Sequence, residues 1–377
     1  MVALADVVSL VEGWFPPATA DAWDAVGLTC GDPADDVRRI LLAVDPAPVV
    51  AQEAVEWDAD LLLTHHPLLL KGVHGVAATT PKGRTVTTLV RGGCGLMSAH
   101  TNADQAVGGV SASLADALGL REQEPVRRAP EPGPALDKLT CFVPVPDATR
   151  VRAALAAAGA GRIGDYDQAS FSVVGEGRFR PLEGADPTIG VVGEAGTVAE
   201  ERVEVVLERS RRTAVVRALV VAHPYEEPAY DVVEVADPAT TGTGTGRVGL
   251  VEPTTLRGFA ERVAAVLPAT AHGVRVGGDP DRPVRRVALC GGAGDFLLDD
   301  VRALGVDAYL TSDLRHHLAG EHLEHAADGG PALVDVAHWA AEWTWLPVLA
   351  GRLEAALGAT VEVRVSERCT DPWTFRV

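Results

Sequence analysis

At 377 residues the chain exceeds one ordinary hydrophobic core, and two or three domains are expected. Hydrophobic residues make up 47% and charged residues 23%, the proportions of a folded globular protein rather than a disordered one. A net charge of -19 opposes general attraction to polyphosphate, and only Lys71, Lys82 and Lys138 are lysines, so neither nucleic acid nor an anionic membrane is an expected partner.

No run approaches the roughly 18 apolar residues of a membrane helix. Met1–Glu12 lacks the basic start of a signal peptide and reads as an amphipathic helix. The cysteines Cys30, Cys94, Cys141, Cys290 and Cys369 are odd in number and have no CxxC spacing. A Cys-rich zinc site and a disulfide framework are therefore not expected, and a reducing cytoplasm fits best.

Along the first segment, strands are expected at Arg39–Asp45, Asp60–Thr64 and Cys94–Ala99, and helices at Pro48–Trp57, Thr85–Arg91 and Val110–Leu118. Continuous apolar strands alternating with helices indicate a mixed or parallel sheet covered on both faces. A connector rich in proline follows at Arg121–Lys138. The middle segment reads as strand Leu139–Val143, helix Ala148–Ala158, alternating strand Ser170–Val174 and helix Glu200–Leu207. Ala214–Val221 then leads into a last strand, Tyr230–Val235. Its alternating strands predict an inserted α+β domain with an antiparallel sheet and helices on one face. Beyond a second connector, Ala236–Arg247, the first plan returns: strands Val284–Cys290, Ala308–Thr311 and Ala332–Val336, with helices Phe296–Leu304, Leu314–Ala327 and Ala340–Leu357. The fold class is α/β, with two similar lobes, residues 1–128 and 245–377, flanking an insert at 138–236.

Chemistry concentrates at strand ends. Thr64-His65-His66-Pro67 follows one apolar strand, and His100-Thr101-Asn102-Ala103-Asp104 follows another. His338-Trp339-Ala340-Ala341-Glu342 follows a third. Active groups in open α/β sheets sit at carboxyl ends of strands. Each motif alone has a plainer reading: two histidines in a turn, Asp104 as a helix cap, Glu342 as a helix-start acid beside a core histidine. Together they predict one constellation. His65, His66, Asp104, His338 and Glu342 exceed the needs of one tetrahedral ion and match two ions sharing a carboxylate and a bridging water. His and Asp donors suit Zn, Fe or Mn.

Trp23-Asp24-Ala25-Val26-Gly27-Leu28, the His-His-Pro and His-Thr-Asn-x-Asp motifs, and Ala337-His338-Trp339-Ala340-Ala341-Glu342 resemble the NIF-three-like family, dinuclear-metal proteins often named GTP cyclohydrolase 1 type 2 homologues. The middle segment, with Gly164-Asp-Tyr166, Gly175-Glu-Gly-Arg-Phe179 and His223-Pro-Tyr-Glu-Glu-Pro228, resembles the ferredoxin-like, CutA/PII-like insert of longer bacterial members. The resemblance implies two divalent cations per chain on the five named residues, with Glu342 bridging. It also implies a toroidal homohexamer whose cavity the metals face, and a small-molecule substrate, possibly a nucleotide. A metal-dependent hydrolase follows, with GTP ring opening its most specific form; the alternative is a non-catalytic metal-binding or regulatory ring whose insert senses a small molecule. Departures stand at Ala25, where the family has Asn, and at Ala337, Trp339 and Ala341, where it has Gly, Tyr and Thr.

His316 and His317 end a further strand and are candidate catalytic acid/base groups, a helix start capped by Ser312 or Asp313 being the equal alternative. His322 and His325 are expected on the solvated side of that helix. Asp45 reads as a turn residue before Pro46, a ligand-histidine partner being the second reading. His74 lies in a Gly-rich loop that would flank the entrance, and the His223 cluster is a further candidate for a metal or effector.

Overall fold

The apolar runs of the first segment assemble into a five-stranded sheet in the computed structural model, which describes residues 2–129, 135–235, 242–326 and 329–377. Its order is Glu362–Val365, Arg39–Ala43, Leu61–Thr64, Gly95–Ser98, Gly27–Cys30. The first four pair in parallel, and Gly27–Cys30 closes the edge antiparallel. Both faces are covered, which is why the strands Leu61–Thr64 and Gly95–Ser98 are buried at every position and mostly apolar. Leu41, Leu62 and Leu96 face Val50, Ala54 and Leu89 on one side. Ile40, Leu42, Leu63 and Met97 face the main core on the other.

A six-stranded sheet runs Val274–Gly277, Ala332–Val336, Ala308–Ser312, Pro283–Ala293, Arg247–Thr255, Arg121–Glu124. Its three strands from Ala332–Val336 to Pro283–Ala293 are parallel, and the outer pairings are antiparallel. One apolar cluster joins residues of both end segments, among them Leu63, Met97, Leu114, Leu310, Val334, Trp345 and Leu349. These segments form one compact unit, Met1–Pro130 with Thr241–Val377, and Glu131–Thr240 forms another.

The second unit is a βαββαβ arrangement. Its antiparallel sheet has the order Phe171–Phe179, Gly196–Glu208, Leu136–Pro144, Tyr230–Glu234. The helices Ala148–Ala157 and Arg212–Ala222 supply Val151, Leu155, Val215 and Leu219 to a core with Leu139, Cys141 and Val143.

Several expectations need correction. Glu200–Leu207 is not helical but lies inside the long strand Gly196–Glu208. Val203, Val205 and Leu207 are buried at every second position, the period of a strand rather than a helix. The helix expected from Ala340 begins at His338 and breaks at Thr344 into His338–Trp343 and Trp345–Leu357. Neither connector is bare coil: Arg121–Glu124 extends the second sheet, and Arg127–Arg128 pairs with Gly244–Thr245. Arg247, placed in the second connector, is buried, and its guanidinium donates to the carbonyls of Gly244, Gly246 and Ala106 at 2.6–2.8 Å. Residues 130–134 and 236–241 of the two connectors, and Ala327 of the expected helix Leu314–Ala327, lie outside the described residues.

Candidate metal centre

Parallel pairing of Leu61–Thr64 with Gly95–Ser98 delivers His65, His66 and His100 to the same carboxyl edge. The ladder carries on past the strand, because His65 and His66 donate their backbone N–H groups to the carbonyls of Ala43 and Val44. Thr64 Oγ1 donates to the His66 carbonyl at 2.8 Å and turns the chain there. From the second sheet, Ala332–Val336 ends just before the helix His338–Trp343, whose first turn carries His338 and Glu342.

Each of these histidines has its outer ring nitrogen taken. His65 Nδ1 donates to the Ala99 carbonyl at 3.0 Å, and His66 Nδ1 donates to Asp45 Oδ1 at 2.7 Å. His100 Nδ1 donates to Asp24 Oδ1 at 2.9 Å, and His338 Nδ1 to Asp313 Oδ2 at 2.7 Å. Such partners fix the tautomer that leaves Nε2 with a lone pair, as metal-ligating histidines require.

The Nε2 atoms of His65, His66 and His338 converge on the buried Glu342 carboxylate. Oε1 lies 2.8 Å from His338 Nε2 and 3.3 Å from His65 Nε2, while Oε2 lies 3.1 Å from His66 Nε2. Asp104 Oδ1 stands 3.6 Å from His65 Nε2. His65, His66 and His100 offer donors within 4.8 Å of one another, and so do His66, His338 and Glu342. His65 Nε2, Asp104 Oδ1 and Glu342 Oε2 are buried without a hydrogen-bond partner. Unpaired buried polar atoms are costly and call for an explanation. A cation among them supplies one, and imidazole nitrogens with carboxylate oxygens are the donors that Zn, Fe and Mn take. The residues present fit a metal.

The electrostatics agree. At Glu342, burial works against ionisation, but His66, His338 and His65 outweigh it and hold the carboxyl well below its usual range. Burial opposes the cationic forms of His66 and His338, yet Glu342 prevails, and they rise to about 10 and about 11. Burial, aided by Glu342 and opposed by His65, pushes Asp104 up to about 7. Burial and the neighbouring His65 push His100 down to about 4. The cluster is built to hold positive charge.

Its walls are rigid. Trp345 packs edge-on against His65 with ring centroids 5.6 Å apart. Gly292, at φ 75°, passes so close that a β-carbon would lie 2.6 Å from Glu342 Oε1.

The structure thus brings His65, His66, Asp104, His338 and Glu342 together. It adds His100, which directly follows an apolar strand and opens the His-Thr-Asn-x-Asp motif but was not among the five expected ligands. Asp45 is not merely a turn residue, since it holds His66; Asp24 and Asp313 hold His100 and His338, a role the sequence did not assign to them. His316 and His317 are exposed with rings 5.2 Å apart, and no hydrogen bond or ion pair among the described residues ties them to the cluster. His322 is buried, contrary to expectation, with Nε2 donating to the Pro331 carbonyl. His325 and His74 are exposed. Both ring nitrogens of His223 are engaged, Nε2 donating to the Phe142 carbonyl and Nδ1 accepting from the Tyr225 N–H, so it has no lone pair for a metal. Trp339 and Ala341, where the residues depart from the family pattern, are buried in the main core.

Comparison with known proteins adds a lineage to this geometry. Residues 2–372 match the family model described as Duf34/NIF3 (NGG1p interacting factor 3). The GTP cyclohydrolase 1 type 2 homolog of Mycobacterium tuberculosis is 50% identical over 376 residues, covering 99% of this chain and 97% of that protein. Its Bacillus subtilis namesake is 37% identical, covering 98% and 97%. The crystal structure of a Bacillus cereus protein related to NIF3 superposes with a TM-score of 0.65 at 34% identity, covering 99% of each chain.

Proposed function

The chain belongs to the Duf34/NIF3 family, and from that premise we propose that it is a dinuclear metal-dependent hydrolase of small molecules, GTP cyclohydrolase 1 type 2-like in its most specific form. The observation that carries this reading is the Glu342 carboxylate, met by three imidazole nitrogens from two sheets at 2.8–3.3 Å. His65 and Asp104 would hold one Zn, Fe or Mn ion, His66 and His338 would hold a second, and Glu342 would be shared between them. When bound, such a pair supplies Lewis acidity and brings water towards ionisation near pH 7.

The chain's own groups do the rest. Asp45, Asp24 and Asp313 fix the imidazoles so that no ligand must reorient as charge develops. His316 and His317 open the helix His316–Ala326, three and four residues after Asp313, and are the groups offered for proton transfer to and from substrate. The chain is read as lobes 1–128 and 245–377 around an insert at 138–236, forming a homohexameric cytoplasmic ring. The βαββαβ order supports the ferredoxin-like, CutA/PII-like identity of the insert. A second reading, a non-catalytic ring whose insert senses a small molecule, draws support from the insert having its own closed core.

The test joins metal analysis to turnover. About two divalent ions per chain are expected, and Glu342→Ala should lose most of both. Metal-loaded protein incubated with GTP should release formate. Full occupancy in Glu342→Ala overturns the shared-carboxylate reading, and retained metal without turnover of any nucleotide favours the regulatory ring.

A further inference from the structure

The carboxyl-terminal segment contains no histidine and no acid–histidine spacing, yet it ends beside the metal cluster. Its course begins at Glu362–Val365, the edge strand parallel to Arg39–Ala43. Both strands therefore leave the sheet at the same end, one towards Asp45 and the other towards Thr370. The Ser366 N–H donates to the Leu42 carbonyl at 2.8 Å and extends the pairing by one step. Three further bonds pin Ser366: its carbonyl accepts from Trp343 Nε1 at 3.0 Å, its hydroxyl donates to Glu53 at 2.7 Å, and that hydroxyl accepts from the Arg368 N–H at 3.2 Å. Four residues later the Thr370 hydroxyl donates to Asp45 Oδ2. The other oxygen of the same carboxylate, Oδ1, holds His66 Nδ1 at 2.7 Å.

We infer that Thr370 is a positioning residue for the metal centre, acting through Asp45 to orient His66, and that the segment from Ser366 to Asp371 is a structural part of that centre. The inference rests on the dinuclear reading. A carboxylate on a single-bond stem can rotate; with one oxygen anchored by the tail and the other on His66, its plane is fixed, and with it the direction of the His66 Nε2 lone pair. Asp371 continues towards the same side. One of its oxygens is buried without a hydrogen-bond partner, and His272, Asp313, Asp45 and His338 are the charged groups that act on it.

The arrangement is asymmetric, which makes it testable. His65 is oriented by a backbone carbonyl, that of Ala99, which owes nothing to the tail. Losing Thr370 should therefore loosen the ion held by His66 and His338 and spare the one held by His65 and Asp104.

The experiment compares full-length wild type, Thr370→Val and Thr370→Ser by Co²⁺ titration, reading the visible d–d bands and, by competition with a chromophoric chelator, two stepwise affinities. Wild type should bind two equivalents. Thr370→Val should keep one affinity and weaken the other by about 10–100-fold, the usual consequence of removing an outer-shell partner. Thr370→Ser should restore it, while the metal-free melting temperatures of all three stay alike. Equal affinities in wild type and Thr370→Val overturn the inference alone. Equal weakening of both steps, or weakening in Thr370→Ser as well, also overturns it. Wild type that takes up no second ion overturns the dinuclear reading and the inference with it.

Discussion

At Gly292 the backbone passes close to the candidate metal centre. Its φ of 75° is one that glycine adopts freely and other residues adopt at a cost of about 1 kcal/mol. A methyl group there would lie 2.6 Å from Glu342 Oε1 and 3.2 Å from His338 Nε2, so it cannot enter without moving the shared carboxylate. Gly292→Ala is expected to lower stability by about 1–3 kcal/mol and, on the proposed dinuclear reading in which Glu342 is shared, to weaken metal binding at both positions. Isothermal titration with Zn²⁺ alongside thermal melting checks this; a variant that loses stability but binds both ions normally would show that Glu342 has room to shift. This scale also separates what could be read from the chain from what could not. His65, His66, Asp104, His338 and Glu342 were legible because metal ligands belong to few residue types and here cluster directly after apolar strands. Of their holders only Asp45 was open to such a reading, and then as the second choice. Asp45, Asp24, Asp313 and Thr370 are single polar residues in turns, and they meet their partners across 21, 76, 25 and 325 positions of chain.

Among the elements, the strand Leu136–Pro144 depends on one buried charge. Asp137 accepts from Arg209 Nε at 3.0 Å and from Arg212 Nε at 2.6 Å, so a single carboxylate ties the strand to the start of the helix Arg212–Ala222. The Arg212 hydrogen bond, opposed by burial and aided by Arg209, holds this carboxyl below its ordinary 3.8. A carboxyl depressed in the folded state stabilises fully above its unfolded value, and that contribution disappears as pH falls through the folded value. The melting temperature of the insert should therefore be level near neutrality and fall below about pH 4. Asp137→Asn should lower it by a few degrees at pH 7, about 1 kcal/mol given the half-exposed arginines, with a shallower acid limb. Calorimetry across pH 3–7 checks this; parallel curves for wild type and variant would assign the acid sensitivity elsewhere. The same region shows why one element was misread. Glu200, Glu201, Arg202 and Glu204 give Glu200–Leu207 the charge density of a surface helix, but Val203, Val205 and Leu207 keep a two-residue beat, and the tertiary packing follows the beat. The edge strand Gly27–Cys30 carries no such rhythm and is defined by its pairing partner, while Glu362–Val365 keeps the beat but spans only four residues.

The whole molecule was legible in class and less so in assembly. Apolar strands alternating with helices announced covered, largely parallel sheets, because such strands must be buried on both faces. That the two end segments share one core could not be read, since residues as distant as Leu63 and Val334 meet only after both sheets have formed. The candidate metal centre inherits this dependence: its donors come from the strand ends of both sheets, so an ion held there would link segments that are separated in the chain by the entire insert. Metal bound only to the folded state stabilises it by RT ln(1 + [L]/Kd), about 4 kcal/mol at a thousandfold excess over Kd. The insert has a separate core, Leu139 to Leu219, and provides none of the donors. Stripping metal with EDTA should therefore lower the melting of the unit carrying the cluster by several degrees and leave the insert's transition where it was. Readdition of Zn²⁺ or Mn²⁺ should restore the first transition alone. Differential scanning calorimetry with and without chelator, with His223→Ala as a marker for the insert's transition, distinguishes the two. If both transitions moved together, the ions would be acting on the entire chain as one cooperative unit, and the independence of the insert's core would not survive the measurement.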